Sequence, residues 1–134
     1  MSGKSLRAPF VVLFLIIPVC ATPALPGART VDEASNGSTI EAAPGEVFQL
    51  VLHSTYWQIE GSSDPDVVAQ NGEPSKTAAP PGTCPPGVGC GTVQVAFTAR
   101  QAGMARISAS RRLCGEALLC PPEQRSFVLT ITVR

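Results

Sequence analysis

The chain has 134 residues, with ten Lys and Arg against ten Asp and Glu and a single histidine. That balance, with no basic stripe along the chain, argues against a nucleic-acid partner. Without Lys4 and Arg7 the count is eight basic to ten acidic residues, and Lys76 is the one remaining lysine, so no polybasic membrane patch exists either.

The N-terminus is laid out like a secretory signal, "MSGKSLRAPFVVLFLIIPVCATPA": two cations, an apolar run over 10–19, then small residues. The run is about ten residues, short of the ~20 that cross a bilayer, so no membrane span is expected. Residues 1–21 are therefore read as a signal peptide, cleaved after Ala21 or alternatively Ala24, and the protein as secreted or held in the periplasm or cell envelope. Cys20 offers a second outcome, a lipid anchor, although Val19 stands where lipoprotein signals place a small residue. Residues 22–29 read as an extended linker. Residues 30–134 are long enough for one domain with its own core and not for two, and a monomer is expected.

From there the chain alternates with period two between Gly and Pro turns. A short strand is expected at Thr39–Ala42, then a turn at Pro44-Gly45, then a strand over 46–53 with Phe48, Leu50 and Leu52 on one face. "TYWQIEG" reads as the next strand, with Trp57 and Ile59 sharing a face and Trp57 buried in the core. "DPDVVAQ" gives a short piece, and 71–86 reads as a long polar connection. Three clear strands follow. "GTVQVAFTAR" turns Val93, Val95, Phe97 and Ala99 inward, and "GMARISASRR" turns Ala105, Ile107 and Ala109 inward. "RSFVLTITV" does the same with Phe127, Leu129, Ile131 and Val133. No stretch has apolar residues at helical spacing. The pattern predicts an all-β fold, an immunoglobulin-like antiparallel β-sandwich of about seven strands.

Five cysteines become four once Cys20 is set apart with the leader. Cys84 and Cys90 enclose "PPGVG", and Cys114 and Cys120 enclose "GEALL". An even set in an exported chain reads as two disulfides. Short loops close with the smallest entropy loss, which favours Cys84–Cys90 and Cys114–Cys120, with Cys90–Cys114 as the nearest competitor. Paired histidines are absent, so neither a metal site nor any other cofactor is expected. No nucleophile-elbow glycines flank a serine, and the acids are scattered, so the chain reads as a non-enzyme. "NGS" at Asn36 matches a glycosylation sequon.

Function is then expected in the loops. The strands on either side of 100–103 carry the chain away from the first cysteine loop and back to the second. Both loops therefore share one end of the sandwich, where the "HSTYW" turn can join them if its strands lie as in an immunoglobulin-type sandwich. The order "GSTI…PGEVFQLVL", "YW", "GVGCG", "AGMA", "SRRL" and a final "FVLTITV" resembles the chagasin family of cysteine-peptidase inhibitors. The resemblance implies an immunoglobulin-like sandwich whose three end loops form a wedge for the cleft of papain-like cysteine peptidases. It would place the protein-binding residues at Thr55 and Tyr56, at Gly87, Val88, Gly89 and Gly91, and at Arg111, Arg112 and Leu113. The family's first-loop Asn-Pro-Thr-Thr-Gly is absent, a cysteine interrupts its second-loop glycines, and its Arg-Pro-Trp aligns with Arg111-Arg112-Leu113. Arg111 is expected to serve binding with little effect on stability.

Overall fold

A computed structural model describes Gly3 and residues 27–134. The leader, its cleavage site, Cys20 and most of the 22–29 linker lie outside the described residues.

Alternating apolar side chains can bury one face of a strand only if a second sheet covers it. Two four-stranded sheets do this here. The first orders β1 (Arg29–Val31), β3 (Val47–His53), β6 (Gly91–Ala99) and β5 (Val68–Ala78), with neighbours in that sequence. The second orders β2 (Thr39–Ala42), β10 (Ser126–Val133), β7 (Gly103–Ser110) and β4 (Gln58–Ser62). A two-stranded ribbon, β8 (Leu113–Gly115) with β9 (Leu118–Leu119), stands apart from both. The inward residues expected from the alternation are buried: Phe48, Leu50, Val95 and Phe97 from one sheet, Ile107, Leu129 and Ile131 from the other. Phe48 and Phe97 stack at 5.8 Å between ring centroids across the β3–β6 pair.

The structure refines the expected pattern in four places. Two outer pairings, β1 with β3 and β2 with β10, are parallel, while the remaining pairings are antiparallel. Residue 29 already belongs to β1, one residue before the expected domain start. Residues 54–57 form a turn, and the strand expected through "TYWQIEG" begins only at Gln58. Half of the segment read as a polar connection, 71–78 of 71–86, is strand. β5 is an edge strand, so only one side needs backbone partners and most of its side chains face solvent, which removes the alternation that would have marked it. Its register shifts between Asn71 and Ser75, which places Gly72 and Pro74 in an irregular stretch where a missing N–H is tolerated.

Both disulfides take the local pairing, Cys84 with Cys90 and Cys114 with Cys120. The sequon asparagine, Asn36, clasps the strand beside it: its Nδ2 donates to the Ser126 carbonyl at 3.1 Å, and its Oδ1 accepts from the Val128 N–H at 2.8 Å. Among the described residues no helix is long and apolar enough to cross a membrane.

Candidate protein-binding site

Strand register decides which loops meet. His53 at the end of β3 lies opposite Thr92, and Ala78 at the end of β5 lies opposite Gly91, so turn 54–57 and loop 79–90 leave the first sheet at the same end. In the second sheet Gln58 and Ser126 both pair with Ser110, which brings segment 111–125 to that end as well. The three loops expected to share one end do share it.

They also bond to one another. The carbonyl of Gly87 accepts the Tyr56 hydroxyl at 2.9 Å and the Glu116 backbone N–H at 2.5 Å, so one oxygen ties all three loops. Thr55 adds its N–H (2.8 Å) and its hydroxyl (3.3 Å) to the Gly89 carbonyl, and the Ser54 N–H reaches the carbonyl of Gly91 at 2.9 Å. Glycine is required where the loops touch. A Cβ on Gly89 would enter the Tyr56 ring, and one on Gly87 would meet the Glu116 side chain at 2.5–2.7 Å. Both residues also have positive φ, 76° for Gly87 and 70° for Gly89, which side chains disfavour. The two glycines on either side of Val88 therefore serve loop-to-loop packing, and Val88 between them is left 42% exposed.

The first loop is short. Four residues turn the chain, and Ser54 sits at the root, buried, with φ at 144° and its Oγ accepting the Tyr56 N–H at 3.2 Å.

The third loop holds more than the sequence suggested. Trp57 is buried at 3% exposure, as expected, and the Arg111 guanidinium lies over its ring at 4.6 Å. Arg111 also donates from Nε to the Gln124 carbonyl at 2.9 Å, and its backbone N–H reaches the Arg125 carbonyl at 2.9 Å. The expectation that Arg111 has little part in stability is thus revised, because it is packed and bonded at the base of the loop. Arg112 is exposed and Leu113 starts β8. The β8–β9 ribbon is closed by Cys114–Cys120 and by the Cys120 N–H on the Arg112 carbonyl at 2.8 Å, and it displays Leu118 and Leu119 at 62% and 55% exposure. Glu116, Leu118, Leu119 and Arg125 are participants that sequence reasoning missed. The available signal was an apolar pair inside a short cysteine-closed loop.

His53 is not part of this cluster. It is 65% exposed and paired with Glu33, whose carboxylate also accepts the His53 backbone N–H.

Neither a protein-family model nor a curated protein sequence matches the chain. Solved structures do. The solution structure of amebosin matches at a TM-score of 0.54 and 20% identity, over 80% of this chain and 98% of that one. The crystal structure of the cysteine protease inhibitor EhICP2 from Entamoeba histolytica matches at 0.57 and 13%, over 80% and 95%. PbICP-C, solved in complex with falcipain-2, matches at 0.50 and 12%, over 80% and 100%. This chain shares their fold. Because the solved chains are covered almost end to end, the likeness extends to the whole sandwich, and it bears out the architecture implied by the resemblance to the chagasin family. With identities of 12–20%, the loop chemistry has to be argued from this chain's own residues.

Proposed function

We propose that the protein is an exported binding domain, not an enzyme, that inhibits papain-like cysteine peptidases by seating its three-loop end in the catalytic cleft. The observation that carries the reading is the shared Gly87 carbonyl, which holds Tyr56 and Glu116 at once and so sets all three loops before any partner arrives. Ordering a loop on binding costs affinity, and loops already bonded to each other avoid much of that cost. The disulfides act in the same direction on segments whose glycines would otherwise be mobile. Support also comes from the fold, which is that of a cysteine protease inhibitor and of a protein solved in complex with falcipain-2. In this reading inhibition is steric. Val88, Leu118 and Leu119 supply apolar contacts, Arg112 and Leu113 flank them, and no bond to the peptidase is made.

The short first loop favours a second reading, a non-inhibitory extracellular module that uses the same end for another protein. Titration of an activated papain-like peptidase panel with the oxidised protein separates the two. The inhibitor reading predicts loss of activity with rising protein concentration for at least one enzyme. Full activity of every enzyme at micromolar protein would leave only the second reading.

A further inference from the structure

Beside the loop tips lies an open groove of about 480 Å³, lined by Tyr56, Gln58, Arg111, Arg112, Leu113 and Arg125 among others. Three of these residues are cations, and no carboxylate lines the groove. Among the described residues none of the three takes part in an ion pair. Two are fixed through Nε alone, Arg111 on the Gln124 carbonyl at 2.9 Å and Arg125 on the Cys120 carbonyl at 2.7 Å. Their terminal Nη groups keep their donors, and the planar fork of such a group matches a carboxylate with two parallel hydrogen bonds. Arg111 is further oriented by the Trp57 ring beneath it. Glu33 and Glu123 line a separate pocket of about 150 Å³ that Arg111 also lines and form no ion pair with it, and Glu116 lies beside Gly87 in the neighbouring loop.

The cluster stands out against the rest of the surface. Residues 27–134 hold eight Lys and Arg and ten Asp and Glu, so the molecule outside the groove is acidic. A long polyanion would be repelled along most of its length. A short acidic segment held between Tyr56 and Leu113 would meet a lining whose charged residues are the three arginines. We infer that the groove receives an Asp- or Glu-bearing loop of the protein partner, with carboxylates on the Nη donors of Arg111, Arg112 and Arg125. The inference rests on the loop end being the binding surface. Applied to peptidase inhibition, it selects enzymes with acidic residues on the rim of the cleft.

The test is an NMR titration of the oxidised, ¹⁵N-labelled protein with two synthetic peptides, Gly-Glu-Tyr-Glu-Leu-Gly and the same sequence with Gln for Glu. The Glu peptide should shift the amides of Tyr56, residues 111–113 and Arg125 together with the arginine Nε signals, and the Gln peptide should not. Arg112→Gln, which removes a side chain with no partner among the described residues, should weaken the Glu peptide about threefold. Arg125→Lys, which keeps the charge but loses the fork and the Nε anchor, should recover only part of the binding that Arg125→Gln loses, and Arg100→Gln at the far end should change nothing. Equal shifts from both peptides, no shifts from either, or tighter binding of a sulfated heparin tetrasaccharide would overturn the inference. The outcomes are separable from the peptidase assay. Glu-peptide binding without inhibition of any peptidase would leave the groove standing and remove the inhibitor reading. Inhibition whose strength is indifferent to Arg112→Gln and to salt, with no Glu-peptide binding, would do the reverse.

Discussion

The sandwich and its loop end are stabilised by different physics. Between the sheets, Phe48, Leu50, Phe97, Ile107, Leu129 and Ile131 are fully buried, and nearly every contact is apolar side chain against apolar side chain. At the loop end the exposed residues outnumber the buried ones, and order comes from hydrogen bonds onto the Gly87 and Gly89 carbonyls, two disulfides and one arginine over one indole. Apolar burial is non-directional and tolerates changes in detail, whereas a carbonyl shared by two donors fixes geometry to a fraction of an ångström. A surface that must match a partner is better served by the second kind of order. Trp57 joins the regions, with its ring in the core and one face under Arg111.

Each part of that contrast can be broken separately. Trp57→Ala should have the largest effect, about 3–5 kcal/mol of lost stability, because it opens the core and removes the platform of Arg111 together. Chemical denaturation should show both losses in one transition. Replacing Cys114 and Cys120 by serine should cost about 2 kcal/mol, the chain-entropy value for so short a loop. The same variant should weaken inhibition more than its stability loss explains, since the ribbon that presents Leu118 and Leu119 is no longer closed. Gly89→Ala should cost about 1–2 kcal/mol for its left-handed backbone, and its new methyl should push Tyr56 off Gly87. Here thermal melting should move modestly while the inhibition constant moves strongly. Tyr56→Phe is the mildest, about 0.5–1.5 kcal/mol for one hydrogen bond. If the inter-loop bonds matter, it should still raise the inhibition constant measurably with the fold intact by circular dichroism.

The same contrast explains what the sequence showed and what it hid. Alternation in "VQVAFTA" and "FVLTITV" marks both faces of a strand, so β6 and β10 and their buried residues could be read directly. β5 escaped because an edge strand with Gly72 and Pro74 needs neither alternation nor a partner on both sides. The extent of the turn at 54–57 escaped because Tyr56 and Trp57 are good strand residues, and what bends the chain is tertiary: Ser54 and Thr55 donate to carbonyls of the glycine loop. The spacing of Cys84, Cys90, Cys114 and Cys120 was enough for the local pairing. That the loops of Gly87 and Arg111 lie at one end followed from strand direction, and that Tyr56 joins them followed from an immunoglobulin-type arrangement of the strands. The partners of Tyr56 and Arg111, namely the Gly87 carbonyl and the Trp57 ring, depend on loop geometry that no period encodes.

Hydrogen exchange on the oxidised protein, free and mixed with a papain-like peptidase inactivated by replacing its catalytic cysteine with alanine, tests the central claim most directly. In the free protein the amides of Thr55 and Glu116, whose acceptors lie in the glycine loop, should already exchange slowly. On complex formation new protection should appear at 87–91, 111–113 and 116–119 and should be absent at the opposite end, around Gly45 and residues 100–103. Fast exchange at Thr55 and Glu116 in the free protein, or new protection at the far end or across a sheet face, would contradict the account.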